Sequence, residues 1–243
     1  CYIVVSEIAK NKTGKKKIVV ASILAALAMQ SGLITEVMAA DPPSARLADA
    51  AEAVGTNGVA IGSSARSKSN QSVAIGYFSV AQAPGASPEN PATAVGAGAN
   101  ANGAGTVALG LSANATGANA VALGGGSNGG KNKTEATAEN ATAVGFNAKA
   151  SKSGASAIGS GANASGSDSI SFGTATVANS EKAIAIGANS KGTAIGATAL
   201  GRDTEASGAS ATALGALASA KGSTATAVGM EASATGNESL AIG

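Results

Sequence analysis

The sequence predicts an all-β fold, a solenoid in which short parallel strands stack into a roll, and three observations carry that expectation. The first is a recurring phrase, a residue then Ala, then Ile, Val or Leu, then Gly, which appears thirteen times with Ser171-Phe172 as its one variant. Its Gly falls at 62, 76, 96, 110, 124, 145, 159, 173, 187, 201, 215, 229 and 243, so ten of the twelve steps are fourteen residues long. A fixed period of this kind means one structural unit stacked on copies of itself. The second observation is composition: 34 Gly, 2% aromatic and 12% charged residues among 243 leave no Leu- and Phe-rich core for a globular enzyme. The third is alternation inside the phrase, because a period of two is the signature of a strand.

Each element of the fourteen-residue unit follows from position. The residues one and three before the anchor Gly are the larger ones, as in Val59 and Ile61, Val121 and Leu123, or Ile184 and Ile186. Size alone sends the residue before each Gly to the interior. The expected structural core is therefore Ile61, Ile75, Val95, Leu109, Leu123, Val144, Ile158, Phe172, Ile186, Leu200, Leu214, Val228 and Ile242. Seven residues after the anchor a second Gly appears at 103, 117, 166, 208, 222 and 236, with Ala commonly three and five after the anchor, as at Ala113 and Ala115. Each turn thus reads as two short strands joined by two Gly corners, Gly being the residue that accepts positive φ without steric cost. Stacked at about 4.8 Å per turn, twelve steps give a rod roughly 55 to 60 Å long. A single turn cannot fold, since ordering fourteen residues costs more than two branched side chains return. The Ala face of so narrow a roll is expected to meet identical neighbours, which makes the chain an oligomer. The phrase Thr193-Ala-Ile-Gly196 is out of phase and is assigned to the second strand of its turn.

The first forty residues differ. Lys10, Lys12, Lys15, Lys16 and Lys17 precede the apolar run Ile18 to Met29, and small residues close the segment at Ala39 and Ala40 before Asp41-Pro42-Pro43. Residues 1–40 are expected to be a secretory signal cleaved after Ala39 or Ala40, because twelve apolar residues are too few to span a bilayer. Residues 41–54 form a lead-in and residues 55–243 the repeats. Cys1, the one cysteine, precedes the cleavage site, so the mature chain holds no disulfide.

Chemistry is sparse. The chain has no His, and its carboxylates show no paired spacing, so no catalytic, cofactor or metal site is expected and the chain reads as a non-enzyme. Hexapeptide β-helix acyltransferases, which need a His, and calcium-binding rolls built on G-G-x-G-x-D nonapeptides do not fit the fourteen-residue unit. Beyond residue 40 there are eleven Lys and Arg, the total of 16 less five in the leader, against twelve Asp and Glu, the total of 14 less Glu7 and Glu36. A net charge of −1 gives nucleic acid no electrostatic hold.

Ser72-Val-Ala-Ile-Gly-Tyr-Phe-Ser79 resembles the N-S-V-A-I-G-x-x-S signature of YadA-like heads of trimeric autotransporter adhesins from Gram-negative bacteria. The likeness extends over about residues 55–243, although most repeats carry Ala where the signature ends in Ser. Val4-Val-Ser-Glu-Ile-Ala-Lys-Asn-Lys-Thr13 is similar to the extended signal region of type V secreted proteins. The resemblance implies a left-handed parallel β-roll assembled as a homotrimer and exported to the outer-membrane cell surface as a virulence factor. It also implies a neck, stalk and membrane anchor downstream, and binding to collagen- or fibronectin-class matrix proteins or host cells, with autoaggregation as a further role. A purely structural or ice-binding solenoid is the alternative. It needs a regular Thr rank, and the position three before Gly gives Thr only at 93, 142, 198, 212 and 226.

Two turns are longer than the rest, by six residues between Gly76 and Gly96 and by seven between Gly124 and Gly145. Insertions in a solenoid leave the stack as loops, where binding specificity tends to sit. Tyr77 and Phe78 in the first, and Lys131 and Lys133 in the second, are the expected ligand-binding residues, since aromatic side chains dominate binding hot spots.

Overall fold

The computed structural model describes residues 45–48, 50–83, 91–126 and 132–243. The leader and Lys131 lie outside these residues. Every regular element among them is a β-strand, and the strands fall alternately into two sheets. The first sheet has fourteen parallel strands, from Ala45–Leu47 through Val59–Ile61 and each later phrase to Leu240–Ile242. The second has thirteen, from Glu52–Ala53 to Ser233–Ala234. The fourteen-residue period is therefore a parallel β-solenoid, with one strand in each sheet per turn.

Register is kept by residue identity. Ala143 lies beside Ala157, which lies beside Ser171, which lies beside Ala185. Across the first longer turn Val73 still pairs with Thr93, and across the second Asn114 pairs with Glu135 and Val121 with Thr142. The added residues leave the ladders intact, as insertions must if the stack is to keep its hydrogen bonds. The two longer turns open at opposite corners. Residues 84–90 follow a second-sheet strand, Val80–Gln82, whereas residues 127–131 follow a first-sheet strand, Val121–Leu123.

The interior corrects the sequence expectation. In the first-sheet strands from Val59–Ile61 to Thr226–Val228 the middle residue is the buried one, so Ala74, Ala122, Ala157, Ala185 and Ala213 are fully inaccessible. From the second sheet come the residues three and five after the anchor, for example Ala113 and Ala115, also fully buried. None of the thirteen residues expected in the core is buried: Ile61, Ile75, Val95, Leu123, Val144, Ile158, Ile186 and Val228 are half-buried, and Leu109, Phe172, Leu200, Leu214 and Ile242 are exposed. They stand on the outer side of the first sheet, covered only by their copies one turn above and below. The reason is width. A fourteen-residue turn brings its two strands so close that Ala against Ala fills the space, and alternation along the strand sends the larger neighbours outward. The Ala face is thus internal and the Val, Ile and Leu face is the one left for neighbours, the reverse of the expected arrangement.

Where Ser or Thr replaces interior Ala, its hydroxyl finds a partner close by. Thr106 Oγ1 donates to the Gly103 carbonyl at 2.8 Å, Ser169 Oγ to Gly166 at 2.7 Å, and Ser171 Oγ to Thr176 Oγ1 at 2.6 Å. Burial without such bonds would cost about 1–3 kcal/mol per hydroxyl.

The corners also differ from expectation. The anchor Gly does require its freedom: Gly145 has φ +123, and a Cβ there would lie 2.7 Å from the Gly159 carbonyl. The second Gly does not. Gly208 has ordinary φ, and its role is clearance, because a Cβ would run into the Gly222 carbonyl of the next turn. Left-handed conformation falls two residues further on, at Asn119, Asn140 or Asp168 with φ of 53 to 56, and two residues after the anchor, at Asn147, Asn189 or Asp203 with φ of 54 to 58. Asn and Asp tolerate that region better than other side chains. Thr193-Ala-Ile-Gly196 lies mostly in such a corner. The second strand of that turn is Lys191–Gly192, Thr193 only extends its ladder, and Gly196 takes the left-handed position with φ +64.

The buried row generates two predictions. Ala185→Leu forces extra methylenes into a filled interior, and a thermal melt followed by circular dichroism should show destabilisation of at least about 1–3 kcal/mol. Gly145→Ala combines strain with collision and should be as damaging, whereas Gly98→Ala, with 3.4 Å of clearance, should lose less on the same melt.

Candidate functional site

The solenoid offers four long surfaces: the outer sides of the two sheets and the two corners between them. The first sheet presents an apolar row for its full length, with Val107 and Leu109 beside Val121 and Leu123, and Phe172 beside Ile186. Thr enters this row at 93, 142, 198, 212 and 226, with a contiguous run only over Thr198, Thr212 and Thr226. The second sheet is polar. Its charges are paired across neighbouring turns, so that Arg66 meets Glu52 at 3.8 Å, Lys149 meets Glu135 at 3.9 Å, and Lys191 stands beside Glu205. Asn100 Nδ2 donates to Asn114 Oδ1 at 2.8 Å in the same column. Such exposed pairs contribute at most about 1 kcal/mol each, and their main effect is to leave this face without net field.

Tyr77 and Phe78 occupy a corner directly after the first-sheet strand Val73–Ile75. They are 60% and 50% exposed and meet edge to face, with centroids 4.4 Å apart and planes at 89°. Phe78 holds the left-handed position of that corner, φ 53. The first insertion, residues 84–90, lies outside the described residues; in the chain it follows the second-sheet strand Val80–Gln82, whereas the aromatic pair follows a first-sheet strand. Lys133 is held by Glu135 at 3.2 Å, on a carboxylate shared with Lys149. No contact in the structure joins the aromatic pair to Lys133.

Sequence reasoning missed the other apolar corner residues. Leu111, Phe146, Leu217 and Met230 are 37%, 48%, 43% and 68% exposed at the same corner as Tyr77, and Ile195 is 62% exposed at the opposite one. Their signal was positional, since all but Ile195 lie one or two residues after an anchor Gly. Among the described residues no three His, Cys, Asp or Glu side chains come together to hold a metal ion.

Comparison with known proteins gives one family. The model of the YadA head domain repeat (2 copies) matches residues 53–79, 91–113, 101–127, 136–162, 164–190, 193–218 and 220–243. No curated protein matches the chain. The matched stretches cover well over half of the 243 residues and end on or near the anchor positions that define the solenoid turns. The chain therefore belongs to the YadA head-repeat family, the repeats of adhesin heads.

Proposed function

We propose that this chain is the head of a trimeric autotransporter adhesin, displayed at the outer-membrane surface, where it attaches the bacterium to host matrix proteins or cells and to other bacteria. The observation that carries the reading is the apolar column one residue before each anchor Gly, unbroken from Ile61 to Ile242 on the outer side of the first sheet. A rod that leaves Val, Ile, Leu and Phe half-buried or exposed over the thirteen strands from Val59–Ile61 to Leu240–Ile242 invites cover, and three copies with this side turned inward would bury it around a common axis. The polar second sheet, with its charges already paired, would then face solvent and host.

Binding by such a head would rest on repetition. Identical weak contacts along and around a trimer gain from effective concentration without any one being strong. Tyr77 and Phe78 are the proposed exceptions, as exposed aromatic side chains on a surface otherwise made of small residues. Lys131 and Lys133 are proposed as a secondary contact. The ice-binding alternative finds no support in a row that mixes Thr with Val, Ile and Leu.

Assembly is tested at the axis. Ile186→Asp places three unpaired carboxylates together, at a cost of about 3 kcal/mol or more, equivalent to at least a hundredfold in association. Light scattering should show the parent as a trimer and the variant as a monomer, with the strand signal in circular dichroism retained. A variant that stays trimeric would place the contact between copies elsewhere.

Adhesion is tested by surface plasmon resonance on immobilised collagen and fibronectin. The double variant Tyr77→Ala/Phe78→Ala should bind about tenfold or more weakly than the parent, and Lys131→Ala/Lys133→Ala by a smaller factor, in line with aromatic hot spots worth about 2 kcal/mol. Equal binding would move the contact to the repeated faces.

A further inference from the structure

The two corners of the roll are not alike. The corner that follows each first-sheet strand carries the exposed apolar side chains Leu111 and Leu217. Each lies close to the end of the apolar row, Leu111 two residues after Leu109 and Leu217 three residues after Leu214. The corner that precedes each first-sheet strand is small at the same heights. Ala104 lies half a turn before Leu111 and Ala118 half a turn after it, so the two bracket its height by about 2.4 Å on either side. Leu217 is bracketed in the same way by the Ala209-Ser210 and Ser223-Thr224 corners. In reverse the relation holds on one side only: Ile195, 62% exposed, is the bulky side chain on the preceding corner, and the following corners half a turn before and after it are Ala188-Asn189 and Arg202-Asp203.

A single copy has no use for this match, because its two corners lie on opposite edges of the roll. A ring does. In a closed three-fold arrangement with the first sheets at the axis, contacts are head-to-tail, so the following corner of one copy meets the preceding corner of the next. Pure rotation adds no axial shift, and each residue faces the corner at its own height. We infer that these two corners form the seam between copies, with Leu111 of one copy seated between Ala104 and Ala118 of the next, Leu217 beside Ala209, and Ala188 beside Ile195. The occupant of the apolar corner is thus a second copy of this chain. Tyr77 and Phe78, Phe146 and Met230 stand on the following corner outside this pattern, since the preceding corners half a turn away include the polar Asn70-Gln71, Glu139-Asn140 and Asn237-Glu238. The inference rests on the trimer proposed above and adds its direction and axial register.

The test is crosslinking with a short bismaleimide in the full chain carrying Cys1→Ser, which removes the one native cysteine. Leu111→Cys/Ala118→Cys should yield two- and three-chain bands on a denaturing gel, while Leu111→Cys alone and Ala118→Cys alone should yield none, because unlike corners meet. Ala188→Cys/Ile195→Cys gives an independent pair should loss of Leu111 disturb packing. Leu111→Cys/Ser153→Cys, more than two turns out of register, should not link. Light scattering of the parent precedes the reaction. A monomeric parent overturns the trimer and the seam together. A trimer in which single cysteines link, the off-register pair links equally well, or both matched pairs fail overturns the seam alone and leaves the corners open to an outside ligand.

Discussion

The width of one turn governs this molecule. Fourteen residues close into a loop only if the two strands nearly touch, and that distance admits Ala, Ser, Thr or Gly between them and nothing larger. Everything else follows from that limit. Interior side chains contribute little hydrophobic area apiece, so the backbone ladders running from turn to turn carry more of the cohesion than in an ordinary core. Uniformity becomes obligatory, because one enlarged side chain would pry apart the turns above and below it. The larger apolar residues, excluded from the inside, form an external row that only another chain can cover.

Assembly and function are linked through that exclusion. A globular protein satisfies its apolar side chains internally and adds an interface afterwards, whereas this solenoid has its apolar surface outside from the start. The second sheet shows the complementary choice: Glu52 with Arg66 and Glu135 with Lys149 are paired along the column. A surface with its charges cancelled locally stays hydrated without attracting one sign of partner over long range. The family to which the chain belongs, the repeats of adhesin heads, fits a rod whose apolar and polar sides are separated in this way.

Much of this was legible in the sequence. The period, the strand spans, the two sheets and the family could be read from the thirteen phrases alone, and the insertions were placed in the correct turns. The assignment of inside and outside failed at Ile186 and its equivalents because larger apolar residues normally go inward, a rule that presumes room. The contrary signal was present: Ala or Ser occupies the middle of every phrase, and Ala recurs three and five residues after the anchor, which is what two facing strands look like when nothing bigger fits. The second Gly misled in a similar way, as Gly208 serves clearance and the left-handed position passes to the residue two further on. Tyr77 and Phe78 were correctly expected at the surface, but the corner at which the first insertion falls depends on which strand it follows, and that required the register.

The direction of the hydrogen bonds has a mechanical consequence. Strands lie across the rod, so bonds such as Gly145 N to Leu123 O at 2.8 Å point along it. A pull along the rod therefore loads each ladder in the direction of its bonds, and the turns peel away in succession instead of shearing all at once. Each turn released frees fourteen residues of chain, about 46–50 Å of contour, for about 4.8 Å of rod. A rod built this way lengthens in steps and absorbs work before it breaks.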